Sequence, residues 1–224
     1  KKLYEQNIRN EQFKNDYFVN LSHELRTPIN IILSTAHLLS IKANEPSLDK
    51  DYFLNKLNYI TQNGNSLLKL VNNIIDVTRL ESGFITANFS YKNIVQVIED
   101  TVMSTVDLAK TFNIEIIFDT EKEEINTYID TNKIERCILN LLSNSVKYGS
   151  ENGNIYVKIY FEGKDLVIMI ENDGIAISYD EQKYIFDKFT KSNKALNRTQ
   201  EGSGLGLYIS KSLMKMQGGD LKVD

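Results

Sequence analysis

The stretch Phe18-Val19-Asn20-Leu21-Ser22-His23-Glu24-Leu25-Arg26-Thr27-Pro28 sets an imidazole, a carboxylate and a hydroxyl close together on one predicted helix. An exposed imidazole can receive a phosphoryl group. Glu24 can accept or orient its proton, and Thr27, four residues after His23, shares its face. A second predicted helix carries Asn140 and Asn144 four residues apart, with Lys147 three further, so amide oxygens and an ammonium project to one side. Magnesium already bound to phosphate keeps several waters and takes one or two protein ligands, which makes a neutral amide oxygen a sensible ligand. Gly202-Ser203-Gly204-Leu205-Gly206-Leu207 precedes an apolar helix, where backbone amides and the positive helix end can approach phosphate oxygens without a Cβ in the way. Together these parts could hold a metal-bound triphosphate.

Each part alone is weak. His23 lies two residues from both Leu21 and Leu25, about 200° around the helix from the apolar stripe, and so faces solvent. An exposed helical histidine is ordinarily an idle surface residue, as His37 is read, and Arg26 is read as one side of a structural ion pair. The Asn140 helix by itself is an amphipathic helix with polar outer residues. The glycine loop lacks the Gly-Lys-Ser/Thr of a Walker loop and comes too late in the chain for a Rossmann fingerprint. Glu171-Asn172-Asp173-Gly174-Ile175-Ala176 follows a predicted strand, where a side chain could read an adenine edge, although alone it is a turn.

The 224 residues are 42% apolar and 25% charged, enough for one or two domains with a core. With 26 Lys and Arg against 30 Asp and Glu, the net charge of -4 offers no general attraction to nucleic acid or to an anionic membrane. Any anion site is therefore local. The single cysteine, Cys137, cannot form an internal disulfide; it suits a reducing compartment and reads as inert core. No apolar run approaches the roughly 20 residues that span a bilayer. The chain is expected to be a cytoplasmic fragment without membrane contact of its own, cut from a protein that a missing N-terminal segment could anchor.

Residues 3 to 43 form one long amphipathic helix, its stripe Phe18, Leu21, Leu25, Ile29, Ile32, Ala36 and Leu39, with a bend expected at Pro28. Ser47 is the expected N-cap of a second helix to Glu81, striped by Leu67, Val71, Ile74 and Thr78. Two such helices cannot complete a core as a lone hairpin, so the expected solution is a dimeric four-helix bundle, the alternative being packing onto the rest of the chain. After Ser82-Gly83 come a polar strand near 84 to 91, a helix from 93 to 111, strands at 114 to 119 and 125 to 130, and a helix from Thr131 to Tyr148 with Ile134, Ile138, Leu141 and Leu142 inward. A hairpin of strands at 155 to 161 and 166 to 170 turns on Glu162-Gly163-Lys164-Asp165. A short helix from 179 to 188, a polar segment from Thr190 to Glu201 and a helix after Gly204 complete an α/β layer domain.

In this order the segments resemble the sensor histidine kinases of two-component signalling, and the resemblance covers nearly the whole chain. Ser22 to Pro28 is similar to the H box, which implies that His23 is the phosphoacceptor, Glu24 its acid/base partner and Thr27 a residue of phosphatase activity. Asn140 to Tyr148 resembles the N box, implying that Asn144 ligates Mg²⁺ and that Asn140, Lys147 and Tyr148 contact nucleotide. Ile185-Phe186-Asp187-Lys188-Phe189 is similar to the F box and Gly202, Gly204, Leu205 and Gly206 to the G2 loop, with Lys191 in the intervening ATP lid. The G1 pattern Asp-x-Gly-x-Gly reads here Asn172-Asp173-Gly174-Ile175-Ala176, so Asn172 and Gly174 stand at the base-binding positions and Ala176 replaces a glycine.

The resemblance implies a phosphoacceptor hairpin over residues 1–82, dimerising as a four-helix bundle, and an Hsp90-like ATP-binding α/β sandwich over 83–224 whose C-terminal strands are incomplete. It implies ATP and Mg²⁺ as cofactors, a homodimer, and a response-regulator receiver domain as partner that takes the phosphoryl group on aspartate. The rivals are a non-catalytic dimeric signalling scaffold with a degenerate ATP site, which the altered G1 loop favours, and an Hsp90-like ATPase, which leaves the His23 segment unexplained.

Overall fold

A computed structural model describes residues 2–44, 49–190 and 202–224, with residues 2–17 described by their backbone alone. The chain divides into two compact units, one built on residues 1–78 together with Gly202 and Ser203, the other on residues 79–190 and 204–224.

The first unit is a helical hairpin of Lys2–Lys42 (α1) and Lys50–Glu81 (α2). Pro28 is buried inside α1, and the helix runs unbroken through it. Ser47 lies outside the described residues; the cap in evidence is Asp49, whose Oδ1 accepts the Tyr52 N–H at 3.1 Å. Both stripes shift from expectation. In α1, Leu21, Leu25, Ile32 and Leu39 are half-buried, whereas Phe18, Ile29 and Ala36 are exposed. In α2, Leu67 and Ile74 are half-buried while Val71 and Thr78 are exposed, and the covered positions are Leu70 and Val77. The sequence permits a step of three or four residues at each turn, and the packed face of α2 takes Leu70 where the four-residue step takes Val71. Phe18, Leu33, Leu54 and Leu68 remain exposed, so this hairpin does not complete its own core.

The second unit runs Ser90–Asn93 (β1), Ile94–Lys110 (α3), Glu115–Thr120 (β2), Asn126–Ile129 (β3), Thr131–Tyr148 (α4), Asn154–Glu162 (β4), Asp165–Asn172 (β5), Tyr179–Gln182 (α5) and Gly206–Met216 (α6). The strand expected from residue 84 shrinks to β1 because its partner β3 is equally short, pairing Ser90 with Ile129 and Asn93 with Asn126. The helix expected to residue 188 shortens to α5, which ends in turns such as Asp187 N–H to Tyr184 C=O, and Phe189 takes a left-handed φ of 62°.

The main sheet has the order β2-β4-β5, with β2 parallel and β5 antiparallel to β4. Gly163, at φ 63°, opens the two-residue link between β4 and β5, where a side chain would be strained. One sheet face is apolar: Ile155, Val157 and Ile159 of β4 are buried in one cluster with Val95, Ile98 and Val102 of α3 and Ile134, Ile138, Leu142 and Val146 of α4. Leu141, expected inward, is half-buried. The result is an α/β two-layer unit in which the sheet supports α4 from below.

Asp130, directly before α4, is buried, and its carboxylate is compensated locally. Oδ2 accepts the Asn88 N–H at 2.8 Å and pairs with the Lys133 ammonium, while Oδ1 caps α4 through the Lys133 N–H at 3.3 Å. Burial alone would raise the Asp130 pKa, but the hydrogen bonds from the Lys133 side chain, Asn88 and the Lys133 backbone, with the lysine charge, hold it below its ordinary 3.8. The unfolded chain therefore binds the extra proton first, so this carboxylate stabilises the fold above its unfolded pKa of about 4 and loses that contribution as pH falls through the folded value. Asp130→Asn is expected to cost about 1 to 3 kcal/mol at pH 7 and to flatten the acid limb of the stability curve. Urea midpoints between pH 3 and 7 measure both, and parallel acid limbs in the two proteins would remove Asp130 from this role.

Candidate functional site

The polar face of α4 meets the start of α6. The Asn140 amide Nδ2 donates to Ser210 Oγ at 2.9 Å, and a Cβ built on Gly206 would stand 2.4 Å from Asn140 Oδ1. Only glycine lets α6 begin this close to Asn140. Asn144, one turn along α4, is half-buried, and its amide makes no hydrogen bond to any described residue. Lys147 has no carboxylate partner among the described residues, and its ammonium lies over the Tyr148 ring, 4.9 Å from the centroid. Leu205 is fully buried and fixes the loop, which enters α6 without a side-chain cap, so the first-turn amides face outward at the positive helix end. Gly204 crosses the 185–189 segment: it has φ 63°, its carbonyl accepts the Phe189 N–H at 2.9 Å, and a Cβ there would meet the Phe189 backbone at 2.6 Å. That segment is also held by Lys211 of α6, whose ammonium sits 4.2 Å from the Phe186 ring centroid.

These features suit a phosphate chain with its own metal. Among the described residues no cluster of three or more His, Cys, Asp or Glu could hold a metal ion by itself. The unclaimed amide oxygen of Asn144 fits an Mg²⁺ delivered with phosphate, which needs few protein ligands.

Asn172 ends β5 on the same side of the strand as Leu166, Ile168 and Ile170, which pack against the core, so it faces the helical layer. A Cβ on Gly174 would meet Asn172 Nδ2 at 2.4 Å and the Tyr148 carbonyl at 2.3 Å, so Gly174 permits the approach of β5 to the end of α4, where Gly149 and Gly174 bridge. Asp173 points the other way. Its Oδ2 accepts the Asn154 backbone N–H at 3.1 Å and the Asn154 amide at 3.0 Å, so this carboxylate closes the sheet end.

In the first unit His23 is exposed on α1, Glu24 is half-buried beside it, and the Thr27 hydroxyl, also exposed, donates to the His23 carbonyl at 3.3 Å. His37 and Arg26 are exposed, and Arg26 makes no ion pair with another described residue. Gly202 is exposed and falls in the first unit, and Lys191 and most of the lid lie outside the described residues. Cys137 is buried, and burial pushes its thiol up to about 11, as an inert core residue requires. Sequence reasoning missed Ser210, the partner of Asn140, although its place four residues after Gly206 puts both on one face of α6. It also missed Gln217, which accepts the Asp130 N–H and donates to the Asp130 carbonyl, each at 3.0 Å, with no local pattern to reveal a bond across 87 residues.

Two family models match in tandem. One, described as the His Kinase A (phospho-acceptor) domain, covers residues 13–83 and so contains His23; the other, the histidine kinase-, DNA gyrase B- and HSP90-like ATPase, covers residues 129–224, with α4 and α6. The chain belongs to the histidine kinases. Among curated histidine kinases it is 34% identical over 221 residues to histidine kinase P4 of Formosa agariphila, covering 96% of this chain and 16% of that protein. The sensor kinase WalK of Bacillus subtilis is 29% identical, covering 96% and 35% respectively. The chain thus spans a minor part of the length of these histidine kinases. The fold is that of the kinase ThkA in its complex with response regulator protein TrrA, at a TM-score of 0.70 and 23% identity over 97% of this chain and 60% of that one. Acinetobacter baumannii AdeS has a TM-score of 0.64 at 22% identity, over 87% and 86%.

The two glycines of this histidine kinase separate binding from folding. Gly206→Ala drives a methyl into the Asn140 amide, a side-chain end that can shift, and is expected to weaken ADP binding about tenfold or more with little change in melting temperature. Gly204→Ala meets backbone at a left-handed φ and is expected to destabilise the second unit by about 1 to 3 kcal/mol as well. Thermal melts with calorimetric ADP titration distinguish the two, and equal melting losses would contradict the assignment.

Proposed function

We propose that residues 1–82 form the dimerisation and phosphoacceptor domain and residues 83–224 the ATP-binding domain of a kinase that transfers the γ-phosphoryl group of ATP to His23. The observation that carries this reading is the exposed His23 beside Glu24, within the segment matched by the phospho-acceptor model. In the transfer, the bond from the γ-phosphorus to the bridging oxygen breaks, ADP leaves with its electron pair, a P–N bond forms at the imidazole, and Glu24 takes the imidazole proton. Such transfers depend on positioning and charge neutralisation. Asn140, Lys147, Tyr148, Gly204, Leu205 and Gly206 supply amides and one ammonium to the phosphates, and Asn144 is the ligand for Mg²⁺. That ion, when bound, neutralises phosphate charge.

The exposed apolar side chains of the hairpin support a homodimer, since burying them against a second copy completes a four-helix core. The phosphoryl group would pass to an aspartate on a response-regulator receiver domain, the class of partner seen with ThkA. Thr27 donates its proton to the His23 carbonyl, leaving its oxygen lone pairs to position a water for the reverse, phosphatase reaction. No helix among the described residues is long and apolar enough to cross a membrane. A cytoplasmic site of action accords with the ATP donor and the free buried Cys137. The degenerate scaffold keeps one observation in its favour, the neutral Asn172 at the base position; the open Asn144 amide and the Gly206 approach favour an active site.

Incubation with Mg²⁺ and γ-labelled ATP is expected to give acid-labile label on His23 alone, lost in His23→Ala; label that survives, or resides on His37, defeats the assignment. Asn144→Ala and Asn144→Asp are each expected to reduce labelling at least about tenfold while leaving the mass of the dimer by light scattering unchanged, because the metal ligand and the helical hairpin belong to separate units. Full labelling in both variants would remove Asn144 from the site.

A further inference from the structure

We propose that the nucleotide site takes 6-oxopurine nucleoside triphosphates as donors alongside ATP, because the group at its base-reading position is an amide. The proposal rests on the kinase reading above and specifies the substrate of that site. Asn172 closes the inner face of β5, half-buried, and its amide makes no hydrogen bond to any described residue. Gly174 holds the loop open beside it, since a side chain there would collide with the Asn172 amide and the Tyr148 carbonyl. The other inner-face positions of β5 are Leu166, Ile168 and Ile170, so no carboxylate stands on this side of the strand. The adjacent Asp173 does not substitute, because it faces outward with Asn154 on its carboxylate.

An amide and a carboxylate read a purine differently. A 6-aminopurine presents a donor at position 6 beside an acceptor at N1, whereas a 6-oxopurine presents an acceptor at position 6 beside an N1–H donor. The Asn172 amide offers one acceptor oxygen and one donor nitrogen, and a half-turn of the amide plane exchanges them. It can thus pair with both atoms of either edge. A carboxylate offers acceptors alone: set against position 6, it accepts from the 6-amino group but opposes the 6-oxo group with a second lone-pair-bearing oxygen, and it reaches the N1–H donor of the 6-oxopurine only where the base shifts. A carboxylate set against position 6 therefore favours the 6-amino edge, whereas the Asn172 amide accommodates both. The transfer needs no new co-reactant: the same phosphorus–oxygen bond breaks, the nucleoside diphosphate leaves with the electron pair, and His23 exchanges its proton to Glu24 for the phosphoryl group.

Inosine nucleotides isolate this edge, since their base differs from adenine only in carrying oxygen in place of the amino group, with a proton at N1. Calorimetric titrations of ADP and IDP, each with Mg²⁺, against the wild-type chain are expected to give dissociation constants within about tenfold of one another. Labelled ITP is expected to phosphorylate His23. In Asn172→Asp, ADP should bind up to about tenfold more tightly and the ratio of IDP to ADP dissociation constants should widen at least about tenfold. Asn172→Ala should weaken both and leave the ratio near that of wild type. Wild type binding ADP but not IDP, or an unchanged ratio in Asn172→Asp, overturns the proposal while leaving the kinase reading intact. Binding of neither diphosphate with labelling from neither triphosphate overturns the kinase reading and this proposal with it.

Discussion

A buried carboxylate must be compensated by its own surroundings, and the groups that satisfy the polar atoms of Asp130, its carboxylate through Asn88 and Lys133 and its backbone through Gln217, come from three parts of the second unit. Asn88 arrives from the connector that follows the helical hairpin, Lys133 from the first turn of α4, and Gln217 from the residue after α6, whose amide brackets the Asp130 backbone with two bonds of 3.0 Å. Removing any one leaves a polar group without its partner in a place water does not reach, so the three segments are fixed together. The start of α4 and the end of α6 are thereby held as a pair. The opposite end of α6 is held by the Asn140 and Ser210 bond. A helix pinned at both ends against its neighbour presents its N-terminal amides at a fixed distance from the α4 side chains, which is what a phosphate chain shared between them demands.

Between those two pins the contact is set by missing atoms. Gly206 lets α6 start against the Asn140 amide, and Gly174 lets β5 close on the end of α4. Each glycine therefore lets backbone or an amide approach where a methyl would displace it. The sheet below supplies the rigidity: β4 buries Ile155, Val157 and Ile159 against α3 and α4, so α4 cannot retreat from α6 without opening the core.

What the sequence made legible follows from which forces are local. The bounds of α4, Thr131–Tyr148, emerge from its apolar period alone, because that helix buries a full face and is capped by an adjacent Asp130. The hairpin of β4 and β5 is equally local, its link fixed by Gly163. In α2 the same reasoning takes Val71 for Leu70, since both satisfy the period and the choice is made by a neighbouring surface. The strand expected at 84 to 89 fails for want of a partner: the backbone of Asn88 spends its N–H on Asp130, a choice no local pattern encodes. Of the site, the histidine segment, the asparagine helix and the glycine loop were readable by type and spacing. Ser210 and Gln217 were not, because their roles exist only when α6 lies beside α4.

The candidate nucleotide site also shows how a chain of net charge -4 can prepare for a polyanion. Concentrating lysines would raise the local potential but would leave unpaired cations whenever the site is empty, at a desolvation cost in a half-buried cleft. Among the described residues this unit places one ammonium beside the α4 amides, Lys147, and rests it on the Tyr148 ring. The remaining contacts are neutral dipoles: first-turn amides of α6 and the side-chain amides of Asn140 and Asn144. Neutral donors tolerate an empty site because water satisfies them, and they strengthen once a ligand excludes that water. Asn172, at the proposed base position, extends the same economy to the end of β5. A carboxylate there would add a negative charge to a unit proposed to take phosphate; the amide avoids that repulsion and offers one donor and one acceptor in its place.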